Sequence, residues 1–206
     1  STPRERKDLT HVYTEELMNQ ILDRENLKRA IQRVKQKKGA PGVDGMEVEE
    51  LFSYFVKHES ELKRQIRQRT YQPKPVLRVE IPKPNGGKRL LGIPTVVDRV
   101  IQQAIMQVLS PIYEKQFHRN SYGFRPYRYA EMAIIETLTN INDGYQWIVD
   151  IDLERFFDTV NHDRLMNIIS RTIKDGDVIS LIRKYLVSGI QTDEGYKESI
   201  IGTPQG

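Results

Sequence analysis

Residues 147–158 read Trp147-Ile148-Val149-Asp150-Ile151-Asp152-Leu153-Glu154-Arg155-Phe156-Phe157-Asp158. The β-branched and aromatic residues of this segment predict a strand that leads into a pair of phenylalanines. Because side chains alternate faces along a strand, Asp150 and Asp152 are expected to point the same way. A carboxylate in an apolar strand is unfavourable unless a cation or a hydrogen-bond donor meets it, so the segment is a candidate metal platform.

The same segment fits other interpretations. Asp152 as the last residue of a strand would cap the turn or helix that follows. Phosphatases of the haloacid dehalogenase type also carry Asp-x-Asp after an apolar strand, but they have Thr or Val where Glu154 stands. Sugar-nucleotide transferases use Asp-x-Asp too, and they give no reason for Phe156 and Phe157. The other motifs in the sequence are needed to distinguish between these functions.

The charge of the 206 residues is distributed unevenly. Residues 1–139 hold 25 Lys/Arg against 17 Asp/Glu, whereas residues 140–206 hold 7 against 11. The basic residues are densest over 24–38 and 61–89. This distribution favours a track for a polyanion beside an acidic site over a pair of solvated helix faces.

The overall composition limits the class of protein. With 38% hydrophobic and 29% charged residues, the chain suits a soluble globular protein of one or two domains. It has no apolar run long enough to span a bilayer, so no membrane partner is expected. Cysteine is absent, which excludes disulfides and thiolate metal sites and fits a reducing cytoplasm.

Hydrophobic periodicity predicts an α+β fold with two subdomains. Helices are expected over residues 14–37 and 48–69, with a glycine-rich loop between them. Alternation over 76–94, with a turn at Asn85-Gly86, predicts a β-hairpin. A helix that starts at a capping box of Thr95 and Asp98 is expected to end before Pro111. Further helices near 130–140, 163–172 and 178–188 and a hairpin over 190–201 complete the chain.

Two loops are candidate ligand sites from their residues alone. The turn over 83–89 combines glycines with basic residues, and such a turn can meet the oxygens of a triphosphate. The loop over 121–129 places Arg125 among aromatic residues. It can stack on bases and grip phosphate, or it can pack inside the fold through cation–π contacts, and both alternatives stay open here.

These segments, in this order, resemble the reverse transcriptases encoded by group II introns, the maturase proteins. Tyr127 and Tyr129 depart from the family, which usually has Gly and Ser there. The matching segments are Lys38–Gly45, Ile81–Pro94, Ser121–Pro126, Asp150–Asp152, Phe156–Asp158, Asn161-His162 and Gly202–Gly206. The resemblance implies right-hand polymerase fingers and a partial palm: a helical N-terminal extension with the template-loop region over 1–75, fingers with the β-hairpin over 76–140, and over 141–206 the palm with a strand–helix–strand unit.

The resemblance also implies roles for single residues. Asp152 is the catalytic metal-binding acid, and the backbone carbonyl of Leu153 is a further metal ligand. Phe157, which follows Asp152 by five positions, is the gate that excludes a ribose 2′-hydroxyl, and Phe156 is left in the core. The contacts with the nucleotide fall to Lys83, Arg89 and Gln205, and those with the template or other RNA to Gly39, Ala40, Pro41, Gly42 and Arg125.

The implied reaction is RNA-templated DNA synthesis, in which a primer 3′-hydroxyl attacks a dNTP with the help of two Mg²⁺, or Mn²⁺ in their place. The implied partners are a group II intron RNA, whose splicing the protein assists, and an RNA template with a DNA primer, in a bacterial cytoplasm. The family's site also needs the acids of a later Tyr-x-Asp-Asp hairpin, and these 206 residues end before one. We therefore expect the chain alone not to polymerise.

Two alternatives remain beside this interpretation. The chain would act as a stand-alone RNA-binding splicing cofactor, or it would belong to a reverse transcriptase of another bacterial lineage. The Lys38–Gly45 loop favours the intron type. A chain cut inside the palm would also leave apolar faces uncovered, which predicts self-association, such as a homodimer.

Overall fold

The computed structural model describes residues 16–82, 84 and 86–204. Lys83 and Gln205, two of the expected nucleotide contacts, lie outside the described residues. Residues 1–108 with 155–206 belong to one compact unit, and residues 109–154 belong to a second.

No helix within the described residues is long and apolar enough to cross a membrane.

Most helices lie where the sequence pattern predicted them. The helices are α1 (Leu17–Ile21), α2 (Arg24–Gln36), a 3₁₀ turn (Val48–Glu50), α3 (Leu51–Arg67), α4 (Val96–Glu114), α5 (Ala130–Asn142), α6 (Phe156–Thr159), α7 (His162–Thr172) and α8 (Gly176–Leu186).

Two helix boundaries differ from expectation. The single helix expected over 14–37 is interrupted, because the Asp23 carboxylate accepts hydrogen bonds from the N–H groups of Glu25 and Asn26 and so starts α2 anew. Helix α4 continues through Pro111 to Glu114 rather than ending before it. A proline removes one N–H donor, and this helix tolerates the loss.

One sheet joins the two predicted hairpins, which lie far apart in the sequence. Strands β1 (Val76–Pro82) and β2 (Lys88–Ile93) pair antiparallel, with Leu77 opposite Ile93. Strands β3 (Ile190–Thr192) and β4 (Gly195–Lys197) form the second hairpin. Because β1 also pairs parallel with β3, the strand order among the described residues is β2-β1-β3-β4.

The core of the first unit lies between its helices, and one buried acid links two of them. Asp175 caps the start of α8 and also accepts the N–H of Met18 in α1 at 2.7 Å. The largest fully buried apolar side chains are Leu17, Ile21, Leu51, Ile101, Ile173, Val96, Val100 and Val178.

The expected palm strand is wrong. Residues 145–153 lie outside the helices and strands of the described residues, and both Asp150 and Asp152 are exposed. In the same unit, every side chain of α5 is exposed or half-buried. High β-propensity forms a strand only where a neighbour accepts its backbone hydrogen bonds, and β1 to β4 all pair elsewhere. The strand–helix–strand unit is therefore not formed, although the α+β class holds.

Candidate active site

The first unit brings two of the sequence motifs together. After β4 the chain returns to α6, where the N–H of Thr203 donates to the carbonyl of Phe157 at 2.7 Å. The N–H of Gly202 donates to the carbonyl of Val160 at 2.8 Å, and the buried ring of His162 donates through Nε2 to the carbonyl of Gly202 at 2.6 Å. The segment 202–204 is thus fixed against the start of α6.

Gly202 is required at this contact. Its φ angle is 82°, a left-handed conformation that favours glycine. A Cβ atom here would lie 2.8 Å from the carbonyl oxygen of Asp158, which is backbone and has little room to move. The close approach of the two motifs therefore depends on this glycine.

The paired phenylalanines are both half-exposed. Phe156 is 50% and Phe157 49% accessible, and their ring centroids are 5.4 Å apart in an edge-to-face arrangement. The expectation that Phe156 lies in the core is wrong, because the short helix α6 leaves both rings at the surface.

The acid expected to bind metal lies in the second unit. One oxygen of the Asp152 carboxylate accepts the N–H of Leu153 at 2.9 Å. Among the described residues, no group of three or more His, Asp or Glu side chains is placed to hold a metal ion. A carboxylate and a backbone carbonyl are nevertheless oxygen donors of the kind that Mg²⁺ and Mn²⁺ prefer.

The glycine-rich loop packs on the start of α4. The Arg99 guanidinium donates to the carbonyl of Ala40, and the Lys74 ammonium pairs with Asp44 at 3.2 Å. Gly42 is buried, and a Cβ atom there would lie 2.7 Å from the backbone nitrogen of Thr95. The loop therefore has a defined shape that leaves Ala40 exposed.

A cleft of about 590 Å³ opens beside this loop. Apolar atoms form most of its wall, and Lys37, Lys74 and Arg99 contribute positive charge. The partial burial of Arg99 lowers the pKa of its guanidinium, and Asp44 opposes that shift. Gly39, Gly92 and Pro204 also line the cleft, so three of the family-like segments meet there. No sequence motif indicated Lys74 or Arg99 as members of this site.

A buried carboxylate supports one wall of the cleft. Asp98 is 1% exposed and accepts hydrogen bonds from the hydroxyls of Tyr71 (2.6 Å), Thr95 (2.7 Å) and Tyr185 (3.2 Å) and from the N–H of Lys74 (3.2 Å). Burial raises the pKa of Asp98, and these hydrogen bonds oppose the shift. Burial and the nearby Asp98 also raise the pKa of both tyrosines. Thr95 in turn accepts the N–H of Asp98, so half of the predicted capping box is present.

Arg125 is committed to contacts within its own unit. Its side chain is 6% exposed and pairs with Glu114 at 2.6 Å, which raises the pKa of the arginine and lowers that of the acid. It also donates to the carbonyls of His118 and Ser121, and its guanidinium lies 5.3 Å from the ring of Phe117. This geometry favours the packed-loop alternative, and contact of Arg125 with RNA stays a prediction.

The basic hairpin is only partly described. Arg89 lies on β2 opposite Ile81 and is exposed, so its side chain is accessible to a ligand. The neighbouring Lys88 pairs with Glu80 across the strands. Lys83, at the other end of the turn, is outside the described residues.

Comparisons with known proteins agree on one family. The sequence profile of the family described as "Reverse transcriptase (RNA-dependent DNA polymerase)" matches residues 81–206. Protein YkfC of Escherichia coli is 36% identical over 197 residues, which are 92% of this chain and 51% of that protein. The group II intron-encoded protein LtrA of Lactococcus lactis is 41% identical over 138 residues, which are 66% of this chain and 23% of that protein.

A solved structure extends the likeness to the fold. A chain of a partial Cas6-RT-Cas1–Cas2 complex superposes with a TM-score of 0.60 at 22% identity, covering 92% of this chain and 31% of the other. The present chain thus spans about half the length of the Escherichia coli relative and less of the other proteins.

Proposed function

Since the chain belongs to the reverse transcriptase (RNA-dependent DNA polymerase) family, among the group II intron-encoded proteins and maturases, we propose that it supplies the fingers and the first part of the palm of such a polymerase. A helical extension with the template loop covers residues 1–75, the fingers cover 76–140, and the partial palm covers 141–206. The whole enzyme would extend a DNA primer with dNTPs on an RNA template, and it would bind its own intron RNA to assist splicing.

One observation carries this proposal. The hydrogen bond from Thr203 to the carbonyl of Phe157 holds the segment 202–204 against the expected sugar gate. Gln205 directly follows that segment in the sequence, and we propose that it contacts a nucleotide whose sugar lies on the Phe157 ring. Arg89 and Lys83 of the hairpin would meet its triphosphate and neutralise the charge that grows there during transfer.

The chain contributes part of the metal site. Asp152 and the carbonyl of Leu153 would hold one of two Mg²⁺ ions. When bound, such ions stabilise the charge on the attacking and leaving oxygens. Two ions need more carboxylates than Asp152 alone, and the 206 residues contain no Tyr-x-Asp-Asp segment. We therefore propose that polymerisation requires this segment in addition to residues 1–206.

The Phe157→Ala substitution tests the gate. In a polypeptide that continues from residue 206 into a Tyr-x-Asp-Asp segment, we expect incorporation of rNTPs relative to dNTPs to rise by roughly tenfold or more, since the ring no longer excludes a 2′-hydroxyl. Primer extension on an RNA template measures the ratio. Phe156→Ala is the matched control, because its ring is equally exposed. An equal change in both variants, or in neither, would contradict the role of Phe157.

A second function has support of its own. In α2 and the residue pair after it, all seven basic residues between 24 and 38 are exposed, while Leu27, Ala30 and Val34 are buried. One face of the helix thus packs and the other presents positive charge. We propose that this face binds intron RNA, and that the chain does so without a complete polymerase site.

A salt series tests RNA binding directly. We expect affinity for structured intron RNA to fall steeply between about 50 and 200 mM salt, because protein binding releases salt cations from the RNA phosphates. The affinity should be unchanged by Asp152→Ala. An unrelated RNA duplex gives the non-specific baseline. Equal affinity for both RNAs would reject recognition of the intron.

We also propose that the chain forms a homodimer, which the exposed apolar residues of 147–153 would favour. Light scattering in the same buffers tests this proposal.

A further inference from the structure

The loop over residues 121–129 displays two aromatic rings in an unfavourable backbone conformation. Phe124 and Tyr127 have φ angles of 56° and 59°, in the left-handed region that glycine prefers. Phe124 is fully exposed and Tyr127 is 96% exposed, so neither ring gains burial in return. Strained residues that persist without a packing benefit are often functional.

The loop is held in this shape from inside. Arg125, between the two rings in sequence, is anchored by Glu114 and by the carbonyls of His118 and Ser121. Arg128 donates to the carbonyl of Arg119 at 3.0 Å, and its guanidinium lies 5.5 Å from the ring of Tyr122. The inward arginines thus fix the turns that point Phe124 and Tyr127 outward.

The surface beside this loop has the chemistry of a nucleobase site. Residues 115–130 contain four Lys/Arg and no Asp/Glu. A pocket of about 500 Å³ lies beside the loop, and Tyr129, Met132 and Ile135 give it apolar walls. Arg119, Asn120 and Glu136 add donors and acceptors to the same pocket. Aromatic faces, guanidinium groups and hydrogen-bonding side chains together recognise unstacked bases.

We infer that Phe124, Tyr127 and Tyr129 form a stacking site for the unpaired bases of single-stranded RNA, with the exposed Arg119 beside the phosphates. The choice of RNA rests on the proposed function. An apolar protein surface fits less well, because the polar side chains Arg119, Asn120 and Glu136 line the pocket together with Tyr129. Tyr127 and Tyr129 stand where the family usually has Gly and Ser, so two of the three rings depart from the family's usual sequence.

The double variant F124G/Y127G separates binding from folding. Glycine adopts both φ angles without strain, so the variant should melt at the same temperature as the wild-type chain or higher. Its affinity for a single-stranded RNA oligonucleotide should fall by about tenfold or more, because two stacking surfaces are gone. Tyr145→Ala, which removes an exposed ring of the same unit outside the loop, should leave the affinity unchanged.

Crosslinking with RNA that contains 4-thiouridine identifies the site of contact. The inference predicts crosslinks within residues 121–130 of the wild-type chain and their loss in F124G/Y127G. RNA binding with unchanged affinity in the double variant and crosslinks elsewhere would overturn the stacking site but leave the proposed RNA-binding function. An equal loss of affinity for duplex RNA would overturn stacking as the cause. A wild-type chain that binds no RNA would overturn both.

Discussion

The Asp98→Ala protein is expected to lose about 3 kcal/mol or more of its free energy of unfolding. The substitution removes the acceptor of hydrogen bonds from Tyr71, Tyr185, Thr95 and the backbone of Lys74. Asp98 is 1% exposed, so water cannot replace the carboxylate without entering the core. Each buried donor left without an acceptor costs about 1–3 kcal/mol.

Asp98→Asn is the matched control for this loss. It keeps the shape of the side chain and one oxygen acceptor, so we expect a smaller decrease in the free energy of unfolding. Urea denaturation followed by circular dichroism measures both variants. If Asp98→Ala unfolds within about 0.5 kcal/mol of the wild type, which is the range of ordinary surface substitutions, the network does not stabilise the fold.

The wild type and Asp98→Asn together also test the pH dependence of stability. Because burial raises the pKa of Asp98, the folded chain binds this proton more tightly than the unfolded chain does. The protonated acid therefore adds its full contribution to the free energy of unfolding at a pH below the ordinary aspartate pKa. That contribution is lost as the pH rises from the ordinary pKa through the raised pKa of the folded chain. Relative to Asp98→Asn, the wild type should lose stability over that rise. A wild type that gains stability over the same range would refute the raised pKa.

Local signals account for the parts of the fold that were predicted correctly. Amphipathic periodicity and the capping pair Thr95 and Asp98 located the helices, and the alternation around Asn85-Gly86 located the first hairpin. The pairing of β1 with β3 could not be predicted, because these strands lie far apart in the sequence and only two residues of each are paired. So short a parallel pairing leaves no pattern in the sequence of either strand. The break between α1 and α2 at Asp23 was not predicted, because an aspartate that caps a helix cannot be told from an exposed helical residue by hydrophobic periodicity alone.

The incorrect strand at 147–153 has a different cause. Val, Ile and Trp make a segment suited to a strand, but β-propensity mostly measures packing against neighbours. The described strands β1 to β4 are paired with one another in the first unit, and residues 145–153 belong to the second. Sequence patterns also could not predict the tertiary contacts of the candidate site. The motifs and the resemblance identified Phe157 and Asp152. Only the structure revealed the contact of Thr203 with Phe157 and the ion pair of Arg125 with Glu114.

Asp152→Asn is expected to reduce primer extension by roughly a thousandfold or more, in a polypeptide that continues from residue 206 into a Tyr-x-Asp-Asp segment. Asparagine keeps the size of the side chain but removes the negative charge that a divalent cation requires. Such a loss equals about 4 kcal/mol in the activation free energy. Steady-state extension of a DNA primer on an RNA template, at saturating dNTP, measures it.

The neighbouring acid makes this prediction specific. Asp150 is also exposed, so Asp150→Asn changes the same charge two residues away and should reduce the rate far less. Asp152 lies at the surface with one hydrogen bond to the next residue, so its substitution should leave the free energy of unfolding and the affinity for RNA unchanged. Equal losses in both variants would mean that the acids act through general charge. A parallel loss of RNA affinity would place Asp152 in RNA binding instead of catalysis. Only a selective loss of synthesis in Asp152→Asn fits a carboxylate that holds the metal.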